Sequence, residues 1–175
     1  MNKHPLTKNE VINLLKKISI KNLESEKVEL FEAEGRIFSS DIISSINLPP
    51  FNNSAVDGYA IHNDNLHDSM ILKCTQRVAA GDQPEIFLKT NEVARIFTGA
   101  RMPNNCNTVI MQENAIIDGD YITMSKIPKS GENCRLKGED VSKGDKIFQS
   151  GERIDSTNIN LIAAVGKKYV EVKKN

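Results

Sequence analysis

Apolar residues recur at helical spacing near the start of the chain, at Val11, Ile12, Leu14, Leu15 and Ile18. Thr7 and Glu10 stand where a capping box would close the first turn of that helix, and Leu6 and Val11 where a hydrophobic staple would sit. The period then shortens. Lys27 to Phe31 read as a strand, Glu32 to Gly35 as a turn, and Arg36 to Ile43 as a second extended piece. From Ile71 to Ile147 short apolar runs alternate with clusters of Gly, Pro, Asn and Asp: Ile71 to Val78, Ala94 to Phe97, Thr108 to Gln112, Tyr121 to Ser125 and Lys146 to Phe148. None is long enough for an ordinary helix. Asp118-Gly119-Asp120 reads as a hairpin turn in which Asp-Gly takes the positive φ angles. Near the end, Thr157 can cap a helix that carries Ile159, Ile162, Ala163 and Val165 inward and stops at Gly166, with Lys167 and Lys168 at its negative pole. Tyr169 to Val172 form a last strand.

Helices at the two ends and strands between them predict an α+β fold, in which an antiparallel β-rich domain is inserted into an α+β domain formed by both chain ends. The 175 residues, 39% of them hydrophobic, suffice for one sizeable core or two small ones. Lys plus Arg and Asp plus Glu number 23 each and are interspersed, which gives a nucleic-acid or anionic-membrane surface little support. Aromatic content of 5% argues further against a nucleic-acid-binding β-barrel. Cys74, Cys106 and Cys134 are widely spaced without a C-x-x-C pair, and His4, His62 and His67 do not complete a zinc site, so reduced thiols are expected. The first residues lack the apolar stretch of a signal peptide, and no segment approaches the roughly 18 apolar residues of a membrane span. A soluble cytoplasmic chain is the expectation.

The stretch Leu48-Pro-Pro-Phe-Asn-Asn-Ser-Ala-Val-Asp-Gly-Tyr-Ala-Ile61 sets one acid, Asp57, between an irregular polar loop and an apolar strand. Pro49 and Pro50 stiffen the approach, and Asn52, Asn53 and Ser54 favour a turn. Tyr59 and Ile61 share one strand face with Asp57 while Val56 and Ala60 take the other, so the carboxylate projects from the head of the strand. Gly58 leaves room for a ligand to approach the backbone. Asp-Gly is also common in plain turns. A second segment, Arg95-Ile-Phe-Thr-Gly-Ala-Arg-Met-Pro103, runs from an apolar strand into Thr98-Gly99, where amide N–H groups and a hydroxyl can present themselves to an anion, or simply form a turn. In a third, Gly131 to Gly151, the exposed charges read as solvated faces apart from Arg135 and Asp140. These two could hold a phosphate and a divalent cation, or could pair with each other.

Together these words resemble the molybdopterin molybdenumtransferase family (MoeA, and the catalytic part of gephyrin), whose first motif usually reads Leu-Pro-Pro-Phe-Asp-Asn-Ser-Ala-Met-Asp-Gly-Tyr-Ala. This chain has Asn for the first Asp of that motif and Val56 for Met. The family's Arg-Ile-Met-Thr-Gly-Ala, followed by Pro and Val-Val-Met-Gln-Glu, maps onto Arg95 to Ala100, Pro103 and Val109 to Glu113. Its Asn-x-Arg and Gly-Glu-Asp-Ile map onto Asn133 to Arg135 and Gly138 to Val141.

The resemblance implies an elongated body with residues 1–50 and 132–175 as a discontinuous α+β domain and 51–131 as the inserted β-rich domain. It also implies transfer of molybdenum from molybdate to adenylylated molybdopterin with Mg²⁺ participating, in a dimer whose cleft is shared between subunits. On that reading Asp57, Thr98 and Asp140 are catalytic, Ser54, Gly58, Gly99 and Arg135 bind substrate, and Asp57 holds the metal. Family members continue into a pterin-binding α/β domain with no counterpart here, so the chain is expected to be a part that is inactive alone. The alternative is a non-catalytic scaffold or dimerisation module of the same fold.

Overall fold

A computed structural model describes residues 5–18, 23–63, 66–67, 69–83 and 87–174 of the chain; His4 and Asn175 lie outside them. The first helix, α1 (Lys8–Lys17), closes with the expected capping box. Thr7 donates its N–H and Oγ1–H to Glu10 Oε2 at 2.7 and 2.8 Å, and the Glu10 N–H returns to Thr7 Oγ1 at 3.4 Å. The staple does not form as a buried pair: Leu6 and Val11 are exposed, as are Leu14, Leu15 and Ile18. Local capping therefore defines α1, whose apolar stripe is left exposed.

Strand β1 (Ser25–Glu29) is shifted from the expected Lys27–Phe31, because Leu30–Glu32 coil into a 3-10 turn that buries Leu30 and leaves Phe31 exposed. The extended piece after the turn contributes only isolated bridges at Ile37 and Phe38 and the short β2 (Ile42–Ile43). The motif segments follow as β3 (Asn53–Ser54) and β4 (Gly58–Ile61). The apolar runs become β5 (Leu72–Val78), β6 (Glu92–Ile96), β7 (Thr108–Met111), β8 (Ala115–Asp118) and β9 (Tyr121–Met124). They join β4 in a six-stranded sheet ordered β7-β4-β6-β5-β9-β8. The sheet is not wholly antiparallel as expected: β5 and β6 run parallel, with a register shift between Cys74 and Gln76. The β8–β9 hairpin pairs Asp118 with Tyr121, so its two-residue loop is Gly119-Asp120, and the one positive angle falls on Gly119 (φ 59°).

The remaining elements are β10 (Cys134–Arg135), paired with β3, β11 (Lys146–Phe148), paired with β2, α2 (Ser156–Ala164) and β12 (Tyr169–Lys173), paired with β1. Asp155, not Thr157, caps α2: its side chain accepts the Asn158 N–H at 2.9 Å while Asn158 Oδ1 accepts the Asp155 N–H at 2.8 Å. Ile162 and Val165 point inward, Ile159 is half-buried and Ala163 faces solvent. Gly166 ends the helix in the left-handed region (φ 79°), its N–H reaching Ala163 O and the next N–H, on Lys167, reaching Ile162 O.

Three apolar clusters fill the interior. Leu30, Phe38, Ile42, Ile154, Ile162 and Val172 pack together from the two chain ends. The two faces of the six-stranded sheet carry the others, one around Ala60, Ala94, Ile96 and Val109, the second around Tyr59, Ile61, Val93 and Ile110. Strand β4 lies between β6 and β7, and its first residue meets a close wall: a Cβ on Gly58 would stand 2.0 Å from the Ile110 carbonyl oxygen and 3.0 Å from Val109 Cγ1. A side chain there must push strands apart, so Gly58→Ala is expected to destabilise the chain by roughly 1–3 kcal/mol or more, read as a lowered urea midpoint. An unchanged midpoint would show that the β4–β7 contact relaxes without cost.

Candidate functional site

Asp57 stands immediately before β4, and Thr98 two residues beyond the end of β6, which is the neighbour of β4. The sheet thus brings together two residues separated by 41 positions. Asp57 Oδ1 accepts two hydrogen bonds from Thr98, the N–H at 2.8 Å and the Oγ1–H at 3.0 Å. Both fall on one oxygen, and among the described residues Oδ2 accepts none. These bonds, the backbone one foremost, hold the Asp57 carboxyl below its ordinary 3.8, with the Arg95 charge adding to the effect. Asp57 is therefore an ionised surface carboxylate with one oxygen engaged and one open.

The rest of the expected anion cradle is turned inward. Gly99 takes a positive φ of 79°, but its N–H donates to Ser54 O at 2.8 Å, and both Thr98 donors are spent on Asp57. The Ser54 hydroxyl is buried and donates to Val56 O at 2.6 Å. Ser54 and Gly99 thus fix the loop rather than offer donors to a ligand. Gly58 is buried, and a Cβ added to it would meet the Ile110 carbonyl of the neighbouring strand.

Arg135 and Asp140 meet each other. Arg135 Nη2 donates to both Asp140 carboxylate oxygens at 2.6 Å, and Nε to Glu139 Oε1 at 2.6 Å. Glu139 Oε2 also accepts the Leu136 N–H at 2.7 Å. The ion-pair alternative is thus what the fold contains, although the group is open to water, the Asp140 side chain being 55% exposed. No hydrogen bond or ion pair among the described residues joins this group to Asp57; the link is through backbone, since Arg135 pairs with Asn53 in the β3–β10 ladder. Among the described residues, no three His, Cys, Asp or Glu cluster in a way that could hold a metal.

Two residues near Asp57 received no role from sequence. Arg95 donates to Gly58 O at 3.2 Å and to Gln112 Oε1 at 2.7 Å, and the Gln112 N–H donates to Asp57 O at 3.1 Å. Arg95 also lies 4.9 Å over the Phe97 ring, with Arg77 at 4.7 Å from the same ring. Arg77 and Arg95 are register partners across β5 and β6, and the ring between them offsets the repulsion of like charges. Both Arg95 and Gln112 sit inside the quoted motifs, which was the available signal.

Residues 6–166 match the family described as MoeA N-terminal region (domain I and II). A molybdopterin molybdenumtransferase from Haemophilus influenzae is 39% identical over 151 residues, covering 86% of this chain and 37% of the relative. One from Nostoc is 34% identical over 171 residues, covering 95% of this chain and 39% of the relative. A crystal structure of the molybdopterin biosynthesis MoeA protein from Pyrococcus horikoshii superposes with a TM-score of 0.84 at 31% identity, covering 95% of this chain and 44% of that one. The chain therefore spans well under half the length of the relatives it matches.

The Asp57–Thr98 pair makes a pH-dependent contribution of definite sign. Its folded carboxyl lies below the ordinary 3.8, so the stabilisation is complete above that value and disappears as pH falls through the folded one. Asp57→Asn should thus lower the urea midpoint at pH 7, with the gap from wild type closing under strong acid. Thr98→Ala keeps the larger, backbone contribution, so carboxyl NMR should show Asp57 moved only part of the way up to 3.8. A gap that stays constant with pH, or an Asp57 titration untouched by Thr98→Ala, would contradict the geometry.

Proposed function

This chain belongs to the MoeA N-terminal region family, and on that premise we propose that it is part of a molybdenum insertase acting in molybdenum cofactor biosynthesis. The reaction is the transfer of molybdenum from molybdate to adenylylated molybdopterin, both anions, with loss of AMP. The observation that carries the reading is the ionised Asp57 carboxylate, held on Thr98 with its second oxygen open at the surface.

Mg²⁺ is commonly bound through one or two carboxylates completed by substrate phosphates and water, and a single carboxylate with a free oxygen fits that mode, whereas no group of three His, Cys, Asp or Glu among the described residues forms an all-protein cage. Asp57 would hold the ion, which when bound supplies positive charge between two anionic reactants. Thr98 is a positioning residue: its two hydrogen bonds engage one Asp57 oxygen and leave the other free. Arg135 and Asp140 form the adjoining rim through the β3–β10 ladder.

The same proposal takes residues 1–50 with 132–175 as one domain and 51–131 as the other. The separate apolar cluster of the chain ends supports this, and Cys134, which packs against the sheet cluster, marks where the two join. It also places the chain in the cytoplasm, in keeping with three free thiols, and in a homodimer as part of the longer protein. Assembly is the second reading, a scaffold or dimerisation module, and the exposed apolar stripe of α1 favours it.

Two experiments test the proposal, and the second separates the readings. The purified 175-residue chain is expected to insert no molybdenum, so cofactor formation by it alone would overturn the partial-enzyme reading. Fused to the unmatched remainder of the Haemophilus influenzae relative, it should insert molybdenum, and Asp57→Asn in that fusion should cut the rate by about 10²-fold or more at a temperature where circular dichroism shows the variant still folded. Full activity of that variant favours the scaffold.

A further inference from the structure

Residues 98–102 run back along residues 52–57, and the far end of this pairing opens into a cleft of about 250 Å³. The Asn53–Arg101 bridge and the bond from the Met102 N–H to Asn52 O at 2.9 Å place Arg101 and Asn52 on its wall. Lys137 enters from beyond β10, its N–H bound to Asn52 Oδ1 at 2.8 Å. Asn104 and the Phe51 ring, 5.7 Å from the Arg101 guanidinium carbon, also line the cleft.

The charges here are unbalanced. No carboxylate lines the cleft, and neither Arg101 nor Lys137 forms an ion pair among the described residues. The nearest acids along the chain, Glu139 and Asp140, are held by Arg135. Three other clefts each carry an acid, Glu92, Glu29, or Glu34 with Asp155. Cys106, on the floor, is a buried thiol pushed up to about 12, so it adds no negative charge. Because Asn52 Oδ1 is engaged by Lys137, its Nδ2 amide remains as a donor, and the Asn104 side chain makes no bond to a described residue.

We propose that this cleft is an oxyanion site, taking a phosphate-class dianion through the Arg101 fork, the Lys137 ammonium and the amides of Asn52 and Asn104. Two positive charges match a dianion, and donors on four side chains suit a tetrahedral group better than the two oxygens of a carboxylate. At about 250 Å³ the cleft is smaller than the roughly 300–1,000 Å³ of whole-ligand pockets, so it fits a free oxyanion or one phosphate end of a larger molecule. Position 52 sets its sign. The motif's usual Asp would accept the same Lys137 N–H but put a negative oxygen where the Asn52 amide stands. The site needs no part of the insertase reading, since it lies in this chain alone and is measured by binding.

Inorganic phosphate and AMP, each titrated into the purified chain by calorimetry, provide the test. At least one should saturate with a Kd of about 1 mM or below. Phosphate as tight as AMP identifies a free oxyanion as the ligand; AMP the tighter identifies the phosphate end of a larger one. Arg101→Gln and Lys137→Gln should each weaken binding by about tenfold or more, the scale of one charge-assisted hydrogen bond. Asn52→Asp, which preserves the shape and the Lys137 bond, should weaken it by at least as much. Absence of saturable binding by both probes up to about 10 mM, or equal affinities for wild type and all three variants, overturns the proposal.

Discussion

The backbone of residues 52–57 must be satisfied on both sides, and everything chemical in this chain is positioned by how that is done. On one side Asn52 O, Ser54 N–H and Ser54 O bond to Met102, Ala100 and Gly99; on the other, Ala55 N–H bonds to Asn133 O, and Asn53 and Ser54 pair with Arg135 and Cys134. Buried peptide groups left unpaired would each cost on the order of 1–3 kcal/mol, so the loop has little freedom once these partners are chosen. Asp57 is carried to Thr98, Asn52 to Arg101, and Arg135 to the neighbouring edge by one pairing scheme. Gly58 completes it, because β4 could not otherwise pass the Ile110 carbonyl.

Much of this was legible in residue order. Runs such as Leu72 to Val78 and Thr108 to Met111 are bounded by turn residues that leave no competing period, and the strands form close to where those runs end. The Asp57–Thr98 meeting was legible only through the resemblance, since nothing local to either segment points to the other. What composition could not tell is which way a donor faces. Thr98-Gly99 has the backbone of an anion nest, yet Ser54 O and Asp57 Oδ1 take its hydrogens, and that depends on a strand more than forty residues away. Gly58 shows the same limit, as room for a ligand and room for a neighbouring strand require the same residue. At α2 two polar residues competed to cap, and Asp155 prevailed because Asn158 stands three positions on and returns the bond. The parallel β5–β6 pair was not legible, because alternation and turn residues mark where strands lie and not which way neighbours run.

The two ends of the 52–57 segment are electrically distinct, and this bears on how the proposed sites coexist. Asp57 is negative and has spent its nearest donors, so this end attracts cations. The Asn52 end carries Arg101 and Lys137 with no acid. If the two ends were strongly coupled, Asp57 would partly cancel the basic cleft; the positive charge that acts on Asp57, however, is Arg95, not Arg101. Arg95 is itself fastened to Gly58 O and Gln112 Oε1 and stacked on Phe97. Asp57 does not line the cleft, so the group that governs its sign is the one inside it, at position 52. An aspartate there would leave the 98–102 pairing intact while changing what that end of the loop can hold. One side chain thus serves both fold and cleft: Oδ1 of Asn52 ties the loop to the Lys137 N–H, and Asn52 lines the cleft.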